Sequence, residues 1–311
     1  MTTATPQLIQ ATLQQLNTVI LGKEHTVKLA LTCLLANGHL LLEDLPGMGK
    51  TTLAHALAQV CGLAYQRVQF TSDLLPADLI GTSIFDPATS SFRFHQGPIF
   101  SQVVLADELN RATPKAQSAL LEAMEEQQVS IERQTYPLPQ PFFVIATQNP
   151  QSQSGTFPLP ESQLDRFLLR ISLGYPDPKA ERELLKGHHG RHSLASLKPI
   201  LNPVRLQGLQ SLVPQVKLSE ALLDYVQRLI AYTRQSEACH LGLSPRGAQA
   251  LVRSAQTWAL LQGRAHVLPE DVQAVFAAVA GHRLVGRHET QGDQLARHIL
   301  TKVDVIGNRH A

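Results

Sequence analysis

The sequence predicts an α/β fold in which a three-layer domain, built on a mostly parallel sheet of five strands, precedes an all-helical domain. Three observations support this fold class. Short apolar runs, of the kind found in strands that are covered on both faces, alternate with helical stretches. A turn rich in glycine joins one of these strands to a helix within 40–57. The composition changes at the turn GYPDP, 174–178, after which no strand pattern occurs.

The overall composition excludes several classes of protein. The chain has 311 residues, enough for two domains with a substantial core, and a formal net charge of +2. This near balance gives no bulk attraction to nucleic acid or to an anionic membrane. Cys33, Cys61 and Cys239 are far apart in apolar helical surroundings, as expected for reduced thiols of a cytoplasmic protein. We expect neither secretion nor membrane insertion, because the N-terminus is polar and no apolar stretch could span a bilayer.

Two helices and a strand lead to the glycine-rich turn. Apolar residues recur at helical spacing over 6–20 and over 24–36, and Asn37-Gly38 ends the second helix. Residues 40–42 are leucines and form the first strand. Helical spacing resumes over 51–60, with the apolar residues on one face. The turn therefore lies between a buried strand and the N-terminus of a helix.

This turn has the composition of a phosphate-binding loop. Backbone N–H groups and the helix N-terminus would face the anion, Lys50 would neutralise it, and the Thr51 hydroxyl would ligate Mg²⁺. The strict pattern G-x-x-x-x-G-K-[ST] has glycine where this chain has Asp44. An ordinary turn of an α/β domain is the alternative interpretation. The residues of the predicted loop are Pro46, Gly47, Met48, Gly49, Lys50, Thr51 and Thr52.

Two adjacent carboxylates follow a later strand. Residues 65–70 alternate as a strand, 82–94 form a hairpin, and the apolar strand 103–106 then ends in Asp107 and Glu108. Paired carboxylates at the end of a buried strand are costly unless they have a function. In a nucleotide hydrolase, Asp107 would hold a water on Mg²⁺ and Glu108 would polarise the attacking water. A surface strand end that caps the next helix is the alternative.

The remaining strands complete the predicted sheet. A helix and a second hairpin, 129–138, precede the buried strand 142–146. Asn149 follows this strand and could orient water or a γ-phosphate, although a plain Asn-Pro turn is also possible. A short helix and a strand at 167–173 then follow. Right-handed crossovers would place the phosphate loop, Asp107 and Asn149 along one edge of the sheet.

The composition break divides the chain into a nucleotide-binding domain, 1–178, a linker, 179–203, and a helical domain, 204–311. We expect the linker to be a polar segment, and from residue 204 onward the pattern is helical throughout. Three histidines of the linker have no cysteine, aspartate or glutamate beside them, which favours a solvated loop over a metal site. They are His188, His189 and His192.

Arg246 is the one residue of the helical domain that suggests chemistry. It lies in the first turn of a helix that starts at Ser244-Pro245, where the helix dipole disfavours a cation. A nearby phosphate would compensate for this unfavourable position. An ordinary surface arginine is the alternative, and the residue alone does not decide between the two.

Five motifs occur in order along the chain: DLPGMGKT, VVLADELNRATPKAQSALLEAMEE, ATQNP, LPESQLDRF and LSPRG. Together they resemble a MoxR-type AAA+ ATPase, over about residues 6–305. The resemblance implies an AAA+ P-loop core with two β-hairpin inserts, followed by an all-α lid domain. Relatives with the wording LEDxPGxGKT share the replacement of the first glycine, so Asp44 is not expected to impair nucleotide binding.

The resemblance assigns a role to each matching position. Lys50 and Thr51 become the Walker A residues, and Asp107 and Glu108 the Walker B pair. Asn149 matches sensor 1. These roles agree with the chemistry inferred from the residues themselves. Lys50 and Thr51 lie where the predicted loop becomes a helix, and Asp107 and Glu108 follow a predicted strand.

Three further assignments come from the resemblance. Arg166 matches the arginine finger, which reaches the nucleotide of the neighbouring subunit, whereas the residue alone suggests a salt bridge with Asp165 or Glu161. Arg246 matches sensor 2, and the sequence does not show whether it acts within its own subunit or on a neighbour. The residues that would lie against the adenine are Ile20, Leu21 and Gly22.

The resemblance implies an Mg²⁺-dependent ATPase that binds ATP and ADP and assembles as a homo-oligomeric ring, expected to be a hexamer. ATP turnover would support chaperone-like remodelling or maturation of a partner complex, including insertion of a metal cofactor, often with a von Willebrand A-type protein. Hairpins at 82–95 and 129–138 would transmit the motion to this client.

Two other functions are compatible with the motifs. A nucleic-acid motor would carry basic hairpin tips, but Arg93 and Arg133 are not part of a basic cluster. A scaffold that binds ATP without hydrolysing it is the second possibility. The presence of both Glu108 and Arg166 argues against such a scaffold.

Overall fold

The computed structural model describes residues 4–88, 90–132, 134–150, 155–186, 191–287 and 291–307. In chain order, the strands are β1 (Leu40–Glu43), β2 (Tyr65–Gln69), β3 (Gly81–Asp86), β4 (Ser91–Gln96), β5 (Val103–Asp107), β6 (Gln128–Ile131), β7 (Gln134–Pro137), β8 (Phe143–Gln148), β9 (Leu169–Ile171), β10 (Cys239–Leu241) and β11 (Val285–Gly286). The helices are α1 (Ala4–Asn17), α2 (Glu24–Leu35), α3 (Lys50–Val60), α4 (Pro76–Ile80), α5 (Pro114–Glu126), α6 (Glu161–Leu164), α7 (Pro178–Leu185), α8 (Arg191–Ser196), α9 (Pro203–Leu212), α10 (Glu220–Gln235), α11 (Pro245–Leu261), α12 (Pro269–Ala280) and α13 (Gly292–Lys302).

The central sheet has five strands in the order β2-β5-β8-β1-β9, and every neighbouring pair is parallel. The prediction of a five-stranded, mostly parallel sheet is thus confirmed. Parallel neighbours require crossover connections over the faces of the sheet. Because β1 lies beside β8, and β8 beside β5, the segments that follow these three strands emerge next to one another at one edge.

Alternation along β1 separates two apolar cores. Leu40 and Leu42 pack in the core that contains α2, α3 and much of the C-terminal domain. Leu41 points to the opposite face and packs with residues of α5. All three leucines are buried, as expected for a strand covered on both sides. The predicted three-layer arrangement is therefore confirmed.

Both predicted hairpins are present, as the antiparallel pairs β3–β4 and β6–β7. They contact each other, because the rings of Phe94 and Tyr136 lie 4.3 Å apart between centroids. Ser83 also donates a hydrogen bond to Glu132 at 3.0 Å. Arg133, which was predicted to lie at the tip of the second hairpin, is outside the described residues.

The C-terminal domain is not helical throughout, which corrects the prediction for the chain beyond residue 204. β10 and β11 pair as a small antiparallel ribbon. Strands of three and two residues are too short to show the alternation by which a strand is recognised. Cys239 accordingly lies in a strand and not in a helix, although all three cysteines are buried and unpaired, as expected.

The segment predicted to be a linker contains α7 and α8, and its end packs against the core. Leu197 and Leu201 are buried, and the N–H groups of Ile200 and Leu201 donate to the carbonyl oxygen of Val60. Leu194, Leu197, Ile200 and Leu201 offered a signal for this packing, but the polar, histidine-rich stretch before them favoured a linker. The domain boundaries at 178 and 204 remain predictions. The side chains of three residues of this segment lie outside the described part of the chain: His188, His189 and His192.

One buried arginine connects the C-terminal domain to the core. The Arg283 side chain is 3% exposed and donates to Asp165 at 2.6 Å. It also donates to the carbonyl oxygens of Phe167 and Leu168, at 2.6 and 3.1 Å. A buried guanidinium needs such partners to offset the loss of hydration. Ser244, the N-cap of α11, donates to the second oxygen of Asp165 at 3.0 Å, so this carboxylate links both domains.

His39 is buried between β8 and α5. The N–H of Val144 donates to its Nδ1 at 3.0 Å, so Nε2 carries the proton and donates to the carbonyl oxygen of Met124 at 3.2 Å. Burial lowers the pKa of His39 to about 4. Protonation would place a second donor against the Val144 N–H, so the fold requires the neutral ring.

We predict that His39 makes the fold sensitive to acid. Since its native pKa lies below the unfolded value of about 6.5, its stabilising contribution is complete above that pH. This contribution is lost as pH falls toward 4, by up to about 1.4 kcal/mol per pH unit. Urea unfolding of wild type and His39→Gln should be measured between pH 7.5 and 4.5. The difference between their free energies of unfolding should become smaller at low pH. A gap that does not change with pH would contradict this role.

Candidate functional site

The turn between β1 and α3 has the backbone of an anion cradle. Gly47 and Gly49 adopt left-handed conformations, with φ of +82° and +90°, which strongly favour glycine. A Cβ atom added to either would meet nothing within 4 Å, so the space above the loop is open. Helix α3 begins at Lys50 and directs the N–H groups of its first turn toward this space.

Lys50 lies folded back on the loop. Its Nζ donates to the carbonyl oxygens of Asp44 and Leu45, at 2.5 and 3.1 Å. Burial lowers the pKa of Lys50, whereas the carboxylates of Asp44, Asp107 and Glu108 raise it. The lysine is therefore positioned next to the open cradle, with acidic groups close enough to favour its charged form.

Asp107 and Glu108 meet Thr147 at the ends of β5 and β8. The Thr147 hydroxyl donates to Asp107 Oδ1 at 2.6 Å and accepts the N–H of Glu108 at 2.8 Å. Glu108 adopts a left-handed conformation, φ +57°, which is costly for a residue with a side chain and is typical of functional sites. The buried hydroxyl of Thr147 therefore fixes both the first carboxylate and the backbone of the second.

The edge strand β2 supplies two further contacts. Arg67 donates to Asp107 Oδ2 from Nε at 3.0 Å and from Nη2 at 2.6 Å. Gln69 donates to Glu108 Oε2 at 2.9 Å, and Arg111 forms an ion pair with the same oxygen at 3.0 Å. Both acidic side chains are thus held by neighbouring groups.

Sequence reasoning missed Thr147, Arg67 and Gln69. A signal for the first was available, because Thr147 follows β8 residue Ala146 just as Asp107 follows Ala106 in the neighbouring strand. The alternation over 65–70 likewise places Arg67 and Gln69 on one side of an edge strand. What the sequence did not contain was the order of the strands, which sets β2 beside β5.

A cleft of about 380 Å³ brings most of the predicted phosphate-site residues together. Among the described residues, its lining is Pro46, Gly47, Gly49, Lys50, Thr51, Thr52, Arg67, Asp107, Glu108, Thr147, Gln148 and Asn149.

Several predicted site residues do not line this cleft. Met48 packs against the apolar core. Ile20 is buried in the same core, and Gly22 lies beside Asp177, since a Cβ added to Gly22 would be 2.8 Å from the Asp177 carboxylate. The contact of Ile20, Leu21 and Gly22 with adenine remains a prediction.

Arg166 and Arg246 also lie away from the cleft, and they meet each other at Glu125. Arg166 binds one oxygen of this carboxylate at 3.0 Å, and Arg246 binds the other. Arg246 lies in the first turn of α11, as predicted. Asp165, one of the suggested partners of Arg166, is instead bound by Arg283. The two arginines therefore form a pair on the surface where α5 and α11 approach.

The donor groups of the cleft suit Mg²⁺. Thr51 offers a hydroxyl and Asp107 a carboxylate, both oxygen ligands of the kind that this hard cation prefers. Within the described part of the chain, no group of three or more histidine, cysteine, aspartate or glutamate side chains could hold a metal. The two oxygen ligands of Thr51 and Asp107 fit a cation that completes its coordination with the phosphates of a substrate and with water.

Comparison with known proteins agrees with this geometry. Residues 39–169 match the family described as "ATPase family associated with various cellular activities (AAA)", and 231–303 match the AAA lid domain. Chaperone MoxR1 of Mycobacterium tuberculosis is 40% identical over 91% of this chain and 77% of its own length. Protein MoxR of Paracoccus denitrificans is 37% identical over 86% of each chain.

The chain belongs to the MoxR family of AAA+ ATPases. An uncharacterized protein of Bacillus subtilis, YeaC, is 42% identical over 98% of this chain and 97% of its own length. The crystal structure of an ATPase candidate from Cytophaga hutchinsonii superposes with a TM-score of 0.88 at 35% identity, covering 97% of this chain and 96% of that one. This MoxR-family member is therefore a nucleotide-binding ATPase with an AAA+ core and a helical lid. Its described helices include none with the length and apolarity needed to traverse a membrane.

We predict that the Thr147 hydroxyl aligns the two carboxylates. Thr147→Val keeps the side-chain volume but leaves the Glu108 N–H without a partner. This should lower the free energy of unfolding by about 1–3 kcal/mol. The rate of ATP hydrolysis should fall by about tenfold to a hundredfold as the alignment is lost. Urea denaturation and steady-state phosphate release measure the two effects.

Thr147→Ser is the matched control for this substitution. It retains the hydroxyl and loses only a methyl group, so both measurements should remain close to wild type. A valine variant that hydrolyses ATP as fast as the serine variant would show that the hydroxyl does not position Asp107 and Glu108.

Proposed function

We propose that this MoxR-family ATPase hydrolyses ATP in sites shared between neighbouring subunits of a ring, expected to be a hexamer, and uses the turnover to remodel a partner protein. The observation that carries the proposal is the position of two arginines. Arg166 and Arg246 lie together on Glu125, outside the cleft formed by Lys50 and Glu108 of the same chain.

The cleft supplies the groups that one subunit would contribute. The loop N–H groups and Lys50 would bind the phosphates, and Thr51 and Asp107 are the residues that would hold Mg²⁺. Bound Mg²⁺ neutralises charge on the β- and γ-phosphates of ATP. Glu108 polarises the attacking water, and Asn149 helps to orient it. Gln69 and Arg111 hold Glu108 at the cleft, where its carboxylate remains accessible to water.

The arginines supply the groups that the neighbouring subunit would contribute. Each guanidinium binds a single oxygen of Glu125, so its remaining N–H groups can meet a phosphate. An arginine finger provided in this way typically increases hydrolysis by about 10³-fold or more. Ser244, two residues before Arg246, is bonded to Asp165, which directly precedes Arg166. This connection favours a common target for both arginines, so we include Arg246 among the groups that act on the neighbour.

The hairpins offer a surface for a protein client. Ile84, Phe85 and Phe92 on β3 and β4 are 52%, 50% and 70% exposed, and adjacent exposed apolar residues mark protein contacts. In the described parts of both hairpins, Arg93 and His95 are the only basic side chains, which gives little support to a nucleic-acid motor.

The relative named Chaperone MoxR1 supports a chaperone-like role. Maturation of a partner complex, insertion of a metal cofactor and cooperation with a von Willebrand A-type protein are the specific forms that the family resemblance suggests. A cytoplasmic location is part of the proposal, because three buried, unpaired cysteines are typical of a reducing compartment.

Glu108→Gln should bind ATP but lower its hydrolysis by at least about a hundredfold, because the amide cannot accept a proton from water. Phosphate release measures turnover. Light scattering after gel filtration measures the molar mass of the ATP-bound assembly, which should equal that of the proposed ring. Glu237→Gln, an exposed glutamate of the lid, is the matched control and should leave both unchanged. Wild-type turnover by Glu108→Gln would refute the role of Glu108.

Arg166→Ala should bind ATP and hydrolyse it poorly. Mixing it with Glu108→Gln subunits should partly restore hydrolysis, because the second variant donates an intact arginine to sites with an intact glutamate. Arg246→Ala should be rescued in the same way, and Arg297→Ala, an exposed arginine of α13, should need no rescue. If mixing restores neither variant, the arginines do not act between subunits. Rescue of Arg166→Ala alone would place Arg246 in the site of its own subunit.

A further inference from the structure

Asp44, which replaces the first glycine of the phosphate-loop pattern, is a buried carboxylate with four hydrogen bonds. Its Oδ2 accepts the N–H groups of Leu173 and Gly174, each at 2.7 Å, and the hydroxyl of Ser172 at 3.1 Å. Its Oδ1 accepts the N–H of Leu45 at 3.0 Å. The residue is 8% exposed, so these donors replace the water that a carboxylate would otherwise bind.

These bonds attach the phosphate loop to the segment that leaves β9. This segment, residues 172–177, lies between β9 and α7. The carbonyl oxygen of Tyr175 accepts a hydrogen bond from Lys23 at 2.5 Å. Asp177, the N-cap of α7, lies against Gly22. The segment bound by Asp44 therefore contacts Gly22, the last residue of the predicted adenine contact, and Lys23, which follows it.

Asp44 also acts on the other side of the loop. Its backbone carbonyl accepts the bond from Lys50 Nζ, and its N–H donates to the carbonyl oxygen of Gln148 at 3.2 Å. One residue thus joins the lysine of the cradle, the end of β8 and the segment after β9. A glycine at this position could form the backbone contacts but none of the four side-chain bonds.

We propose that Asp44 is a positioning residue that fixes the phosphate loop relative to the segment on the adenine side, so that both ends of one nucleotide are held together. The inference rests on the proposed function in one respect, namely that adenine lies against residues 20–22. Without the carboxylate, each part could still bind its own half of the ligand. The loss would fall on ligands that must contact both parts at once.

Three substitutions at this contact should give graded effects. Asp44→Gly restores the strict pattern and removes all four bonds. Asp44→Asn keeps the shape and one acceptor oxygen, but places an amide where a second acceptor is needed. Ser172→Ala removes a single donor from the carboxylate. Asp73→Gly, an exposed aspartate in the loop before α4, controls for added backbone freedom.

The test compares the dissociation constants of ATP and inorganic tripolyphosphate, measured by calorimetry in full-length protein that carries Glu108→Gln. The dissociation constant of tripolyphosphate divided by that of ATP reports how much the nucleoside adds to binding of the phosphates. We expect this ratio to fall by about tenfold in Asp44→Gly, which corresponds to about 1.4 kcal/mol, by less in Asp44→Asn, and least in Ser172→Ala. Asp73→Gly should leave the ratio unchanged.

An equal loss of affinity for both ligands would overturn the proposal, because Asp44 would then shape only the phosphate loop. Unchanged affinities would overturn it too. If Asp44→Gly does not fold, the comparison between Asp44→Asn and Ser172→Ala decides, since a ratio equal to that of the parent protein in both refutes the proposal. A parent protein with no preference for ATP over tripolyphosphate would instead refute the predicted adenine contact, independently of Asp44.

Discussion

Buried carboxylates at the ends of parallel strands require hydrogen-bond donors, and this requirement organises the site. Asp44 follows β1 and Asp107 is the last residue of β5 in the same sheet, and each is 8% exposed. Asp44 is satisfied mainly by backbone N–H groups after β9, and Asp107 by Thr147 and Arg67. Thr147 and the groups after β9 lie at this end of the sheet, and Arg67 reaches it from the middle of β2. The carboxylates of Asp44 and Asp107 therefore determine the positions of the neighbouring segments that supply their hydrogen-bond donors.

A similar requirement determines how the two domains meet. The guanidinium of Arg283 is buried and has to be surrounded by acceptors, which Asp165 and the carbonyl groups of Phe167 and Leu168 provide. The loop that carries Arg166 is thereby attached to the lid. The lid cannot turn relative to the core without breaking these bonds or moving that loop. The proposed contact with a neighbouring subunit is thus mechanically connected to the orientation of the lid.

Local signals in the sequence were sufficient for much of the fold. The apolar strands, the two hairpins and the glycine-rich turn before α3 could be predicted because each is specified by residues close in sequence. The paired carboxylates Asp107 and Glu108 could be recognised for the same reason. The β10–β11 ribbon was missed because its strands are too short to alternate. The packing of Leu197 was missed because the polar, histidine-rich stretch before it favoured a linker.

The partners within the site could not be predicted in the same way. The contact of Arg67 with Asp107 and that of Glu125 with both arginines depend on strand order and on helix packing. Each joins residues separated by 40 or more positions. The sequence was therefore sufficient to propose the chemical groups, whereas the residues that contact them became evident only in three dimensions.

The shared carboxylate of Glu125 also has a consequence for how subunits attract each other. It neutralises one guanidinium charge of the Arg166–Arg246 pair, so the cluster of three side chains retains one positive charge. A nucleotide bound in the proposed neighbouring subunit would carry the opposite charge. Because all three side chains are partly exposed to solvent, dissolved ions will screen this attraction over roughly 10 Å. In the proposed ring, ionic strength should therefore affect the cohesion between subunits more than it affects the folding of each one.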